Sequence, residues 1–274
     1  MRPSLLDRIP GNSYNGGALL HNHRLHCSEF FGAHRAPGAR NREARVTEDN
    51  RTLSGERFGK YQLQELLKRG TMADVYRGLE LDTNRAVAVT VLEPALTADS
   101  DYVAGLKDEI VQILGLAHPN IAPIVSFGEQ RPYFYLVMPQ FRASLRDVLQ
   151  RQGHVAFAAA LDMIAQVASA LTAIHSLGLI HRNINPDDIL LSDDQAMLTG
   201  FGIVRQVAFD NTGQAPMLAG TALVFATPQY MAPEQFTGAY VDQRGDGRWL
   251  AQMTLANGKR KSFMARHALR LLRN

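Results

Sequence analysis

The residues best suited to chemistry lie in two short segments, His181-Arg182-Asn183-Ile184-Asn185-Pro186-Asp187-Asp188 and Leu198-Thr199-Gly200-Phe201-Gly202. Asn183 can orient a hydroxyl through its amide but cannot take its proton near neutral pH, and loss of a general base costs about 10²–10⁴ in rate. Asp188 is a carboxylate able to attract a hard cation, yet a single carboxylate makes a thin magnesium site. Taken with its neighbour, Asp187-Asp188 reads first as a solvated turn. Gly200 offers no ligand at all. Upstream, Lys68-Arg69-Gly70-Thr71-Met72-Ala73-Asp74-Val75 keeps one glycine, so close approach of its backbone amides to a phosphate is impaired. Thr90 sits in the run Val87-Ala88-Val89-Thr90-Val91, and a hydroxyl cannot neutralise a phosphate.

Positioning such residues takes a framework, and the apolar periodicity supplies one from Phe58 onward. Tyr61–Leu67, Asp74–Leu79 and Arg85–Leu92 read as strands. Asp101–Leu116 carries Leu106, Ile110, Ile113 and Leu114 at helical spacing. Strands are expected again over Ile121–Phe127 and Tyr133–Met138, then a short helix over Leu145–Gln150. A long helix over Phe157–His175 has Leu161, Ile164, Val167, Leu171 and Ile174 on one stripe. Strands followed by a mostly helical part predict a two-lobed α+β fold.

Composition sets wider bounds. The chain has 274 residues, 46% of them hydrophobic and 20% charged, which suffices for a core. Cys27 is the sole cysteine, so no intrachain disulfide forms and a reducing, cytoplasmic setting is the expectation. The first residues lack the apolar run of a signal peptide, and Asp162, Gln166 and His175 interrupt the most apolar window, so no membrane span is expected. Residues 1–57 have no lasting apolar period and are expected to be disordered or poorly structured. Their His21, His23, His26, Cys27 and His34 fit no closed zinc-ligand spacing. The net charge of +3 hides an uneven distribution: residues 58–242 hold twelve Lys/Arg and nineteen Asp/Glu, whereas residues 243–274 hold eight and one. A basic end of that kind favours a polyanion or is simply a solvated face.

Several motifs in order carry a resemblance. Val87-Ala88-Val89-Thr90 is followed by Glu109, His118-Pro119-Asn120-Ile121 and a hinge-like Pro139-Gln140-Phe141. The two opening segments come next, then Met231-Ala232-Pro233-Glu234 and Val241-Asp242-Gln243-Arg244-Gly245-Asp246. Residues 58–246 closely resemble the bacterial eukaryotic-type Ser/Thr protein kinases, whose catalytic and magnesium loops read H-R-D-x-x-x-x-N and D-F-G. The resemblance implies a small lobe over residues 58–141 and a large lobe over 142–246. It puts Asn183 where the catalytic base belongs, and Asn185 where a lysine would contact the moving phosphoryl group. Thr90 falls at the ATP lysine, leaving Glu109 without its ion-pair partner. Gly200 replaces the magnesium carboxylate, and Asp188 replaces the loop asparagine as the one remaining metal candidate. Gly70 survives from the glycine loop, Val75, Ala88 and Leu190 sandwich adenine, and Met138 leads into the hinge. His181 and Phe201 hold the positions that align the active state.

Fold retained and chemistry lost is the pseudokinase pattern: weak ATP binding, little use for magnesium, and action by binding a nucleotide or protein. The alternative is residual ATP-dependent phosphoryl transfer with Lys68 or Arg69 as a displaced cation. The helices that would complete the large lobe do not follow Asp246. The lobe is therefore expected to be incomplete, with the long helix's stripe partly open to a protein partner. Residues 247–274 instead suggest a hairpin turning at Asn257-Gly258, then a short basic helix over His267–Leu272. Residues 246–264 are similar to the β-ribbon of the arm-type DNA-binding domain of tyrosine recombinases, which implies a nucleic-acid partner in a groove.

Overall fold

The computed structural model describes residues 52–192, 195–203 and 242–247. The His/Cys cluster before residue 52, the Met231–Glu234 motif, the hairpin and the basic helix lie outside the described residues.

Eight described strands and helices build the first half of the fold around one antiparallel sheet. Strands β1 (Arg57–Phe58), β2 (Tyr61–Lys68), β3 (Ala73–Glu80) and β4 (Arg85–Leu92) precede helices α1 (Pro94–Thr97) and α2 (Ser100–Leu114), and β5 (Ser126–Gln130) and β6 (Tyr133–Pro139) follow. The sheet order is β1-β2-β3-β4-β6-β5. Strand β4 explains why both faces are covered. Its Val87, Val89 and Val91 point to a cluster with Phe58, Tyr61, Tyr76 and Val137, while Leu92 on the alternate face meets Leu106 and Ile110 of α2. A run buried on both sides reads as continuously apolar. Asp99 caps α2, accepting from the backbone N–H groups of Asp101 and Tyr102.

Two expectations shift here. The folded chain begins before Phe58: Leu53 packs on the sheet core, and the Gln62 side chain donates to the Gly55 carbonyl. The strand expected over Ile121–Phe127 is displaced to Ser126–Gln130, with Ile121 making only an isolated bridge to Leu198. Pro123 interrupts that stretch and has no N–H to give a ladder.

The second half contains β7 (Ala143–Ser144), α3 (Leu145–Gln152), α4 (Phe157–Ser176), a 3₁₀ turn (Pro186–Asp188), β8 (Ile189–Leu191) and β9 (Ala196–Leu198). Helix α3 begins with a reciprocal capping box between Ser144 and Asp147 and ends at Gly153, φ +73°. Helix α4 is long and apolar enough to cross a membrane by composition. It serves instead as the core of this half, with Met163, Ile164, Val167, Leu171 and Ile174 packed with Ile184, Ile189 and Leu198. The stripe expected to lie partly open is therefore closed at Ile164, Val167, Leu171 and Ile174, each at most 9% exposed, with Leu161 partly buried. The β7-β8-β9 sheet contributes much of that cover.

Candidate functional site

Sheet register puts the upper residues of the site on one face. Lys68 pairs with Val75, Val75 with Thr90, and Thr90 with Leu136. Directly opposed residues in antiparallel strands project to the same side, so Val75, Thr90 and Leu136 form a row, which Lys68 meets at its end just past a register shift in β2. Ala88 lies two residues from Thr90 on β4 and pairs with Met138, extending the same face. Ala88, Thr90 and Met138 are buried and Val75 partly so. Thr90 Oγ1 is thus the only polar side-chain atom that β4 presents there. Gly70 donates its backbone N–H to Asp74 Oδ1 at 3.1 Å. A Cβ at Gly70 would stand 2.4 Å from the Ala73 carbonyl, so the turn admits no side chain.

The lower residues come from the 181–188 loop and the 198–203 segment, joined by a buried imidazole. His181 Nε2–H donates to the Thr199 carbonyl at 2.6 Å, leaving Nδ1 to accept from the Asn183 N–H at 3.4 Å. Burial pushes the His181 pKa down, which favours the neutral tautomer this arrangement requires. Its ring meets Phe201 edge-on at 5.0 Å. Asn185 is wholly engaged: its Oδ1 accepts from the Asp187 N–H, and its Nδ2 donates to the Asn183 carbonyl and to Asp188 Oδ2. It shapes the loop and has no donor to spare for a phosphoryl group.

Asp187-Asp188 is not a solvated turn. Asp187 accepts from Lys68 Nζ at 3.0 Å and Arg146 Nε at 3.3 Å. Asp188 is partly buried, and the desolvation it feels pushes its carboxyl up to about 8, against the opposing pull of Lys68. That shift favours the protonated form at neutral pH. Gly200 takes φ +86°, and a Cβ there would sit 2.9 Å from Asp188 Oδ1. A carboxylate at position 200 would need both a strained backbone and a displaced Asp188. Among the described residues no group of three His, Cys, Asp or Glu is arranged to hold a metal ion. The magnesium that the resemblance implies does not fit this donor set. Val75 and Ala88 stand on one wall, the sheet face described above, and Leu190 on β8 belongs to the other half of the fold. A contact from Thr199 Oγ1 to Met138 Sδ at 3.7 Å ties the two walls together.

Glu109 is a second correction. Thr90 gives it no cation, but it is not left alone: Arg182 Nη1 lies 3.3 Å from its Oε1, with both side chains largely buried. Arg182 adopts φ +67°. Its N–H and that of His181 both donate to Asp246, at 2.8 Å each, and His175 Nε2 lies 2.8 Å from the same carboxylate. This anchoring turns the Arg182 backbone so that its guanidinium reaches α2. Arg182, Arg146 and Asp187 were not predicted as site residues. Arg146 did carry a signal, since a cation in the first turn of a helix opposes the macrodipole and calls for a specific partner.

Compared with known proteins, residues 61–254 match the protein kinase domain family. The chain belongs to that family. Among curated kinases it is 36% identical over 194 residues to the serine/threonine-protein kinase PknD of Mycobacterium tuberculosis, covering 70% of this chain and 28% of that one. It is also 36% identical over 193 residues to the serine/threonine-protein kinase pkn2 of Myxococcus xanthus, covering 69% and 23%. The chain thus spans about a quarter of the length of these two relatives. Among solved structures, the M. tuberculosis PknI kinase domain superposes with a TM-score of 0.60 at 26% identity, covering 74% of this chain and 75% of that one. The protein kinase fold is therefore established. The family match continues to residue 254, past the expected end at Asp246, and so overlaps the first strand of the expected hairpin.

Proposed function

We propose that this protein-kinase-like domain binds adenine nucleotide weakly and acts by binding, without efficient phosphoryl transfer. The observation that carries this reading is the Glu109–Arg182 ion pair. In a working kinase the glutamate of that helix holds the lysine that grips the phosphates. Here the carboxylate is engaged in a contact between α2 and the 181–188 loop, and position 90 offers only a hydroxyl. The protonated Asp188, the ligand-free Gly200 and the fully engaged Asn185 support the same reading. Residual transfer through a displaced cation is favoured only by Lys68, because Arg69 instead faces Asp74 at 3.7 Å.

The test is a phosphoryl-transfer assay on the full chain with ATP and magnesium, using itself and a generic basic protein as acceptors. No transfer above background is expected. Turnover near the roughly 1–100 s⁻¹ usual for kinases would overturn the reading. Asn183→Asp alone should not restore activity, because groups that act as a unit are non-additive. In thermal-shift measurements ATP should stabilise the protein slightly, and magnesium should not increase that stabilisation.

A further inference from the structure

We infer that Lys68 is the phosphate-binding cation of this site, that Asp187 holds it in reserve, and that the ligand is a metal-free nucleoside di- or triphosphate. The inference rests on the nucleotide-binding reading above and assigns the missing charge within it. Three observations point the same way. Lys68 pairs with Val75 just past a register shift in β2, and Val75 pairs with Thr90, so Lys68 stands at the end of the row that holds the position lacking a cation. Its ammonium already crosses to the other half of the fold, 3.0 Å from Asp187 Oδ1. Asp187 has a second partner in Arg146 at 3.3 Å, so release of Lys68 does not strand the carboxylate without a counter-charge.

The exchange is one of partners, with no bond made or broken. A polyphosphate oxygen replaces Asp187 Oδ1 at the Lys68 ammonium, and Asp187 keeps Arg146. A magnesium-complexed triphosphate has already neutralised much of the charge that Lys68 would meet, and among the described residues no group of three His, Cys, Asp or Glu is arranged to offer the metal compensating ligands. The site thereby selects against the complexed form. Asp187 becomes a built-in competitor of the phosphates, which sets the affinity low. Neutralising it should tighten binding.

The experiment is calorimetric titration of the full chain with ATP in excess chelator, with magnesium–ATP, and with adenosine. Wild type should bind metal-free ATP more tightly than either alternative. Lys68→Met should bring ATP down to the affinity of adenosine, a loss of about tenfold or more for one charge-assisted contact. Asp187→Asn should raise ATP affinity several-fold and leave adenosine unchanged. Lys107→Met, on a cation paired with Glu129 on β5, removes one positive charge elsewhere and should change nothing. If adenosine and ATP bind equally and Lys68→Met is silent, the inference fails while nucleotide binding stands. If neither ligand binds the wild type, both fail. Tighter binding of magnesium–ATP than of metal-free ATP also overturns the inference. Since Lys68 is 46% exposed, its replacement leaves the core intact, and an unchanged melting temperature verifies this.

Discussion

Asp188 concentrates the altered chemistry of the site. A carboxyl that stays protonated up to about pH 8 is favoured by the fold in its neutral form. Its contribution to stability is fully present below the unfolded value near 3.8 and is lost as pH rises through about 8. The melting temperature should therefore fall across that interval, and Asp188→Asn should flatten the fall. An unchanged slope in the variant would show that the proton is not held there. Little of this was legible from the residue's type. An aspartate in a loop suggests solvent, and only its position against Gly200 reveals how much of that solvent it loses. Asn183, Thr90 and Gly200 are different. Their deficits are intrinsic to an amide, a hydroxyl and a hydrogen atom, so they could be read without coordinates.

At the scale of elements, α2 is held by a contact that replaces the usual one. Glu109 and Arg182 are 73 residues apart, and their side chains are 12% and 16% exposed. A largely buried pair with one partner removed leaves an uncompensated charge. A double-mutant cycle with Glu109→Gln and Arg182→Met, measured by denaturant unfolding, should give a coupling of about 1–3 kcal/mol. Additivity within about 0.5 kcal/mol would mean that the pair holds nothing together. The elements themselves were largely legible. The β4 valines alternate with Ala88, Thr90 and Leu92, and Leu106, Ile110 and Ile113 follow a helical stripe. What failed was local or distant. Pro123 displaced one strand, and no periodicity in β2 or α2 foretells which remote charge Lys68 or Glu109 will meet.

For the molecule as a whole, Asp246 is the point where distant pieces are tied. Its carboxylate, itself 1% exposed by residue, accepts from the His181 and Arg182 backbones and faces His175. Removing it strands buried donors, each costing about 1–3 kcal/mol. Asp246→Ala should lower unfolding free energy by a few kcal/mol, and Asp246→Asn, which keeps an acceptor, by less. A melting curve for the alanine variant indistinguishable from wild type would refute that role. The same three contacts span 65, 64 and 71 residues of chain. At synthesis rates of about 5–20 residues per second, those two amides wait roughly 3–13 s for their acceptor to be made. For that interval the newborn 181–188 loop has no Asp246 to turn Arg182 toward Glu109. During synthesis the sheet can therefore close before the loop-to-α2 tie has its anchor.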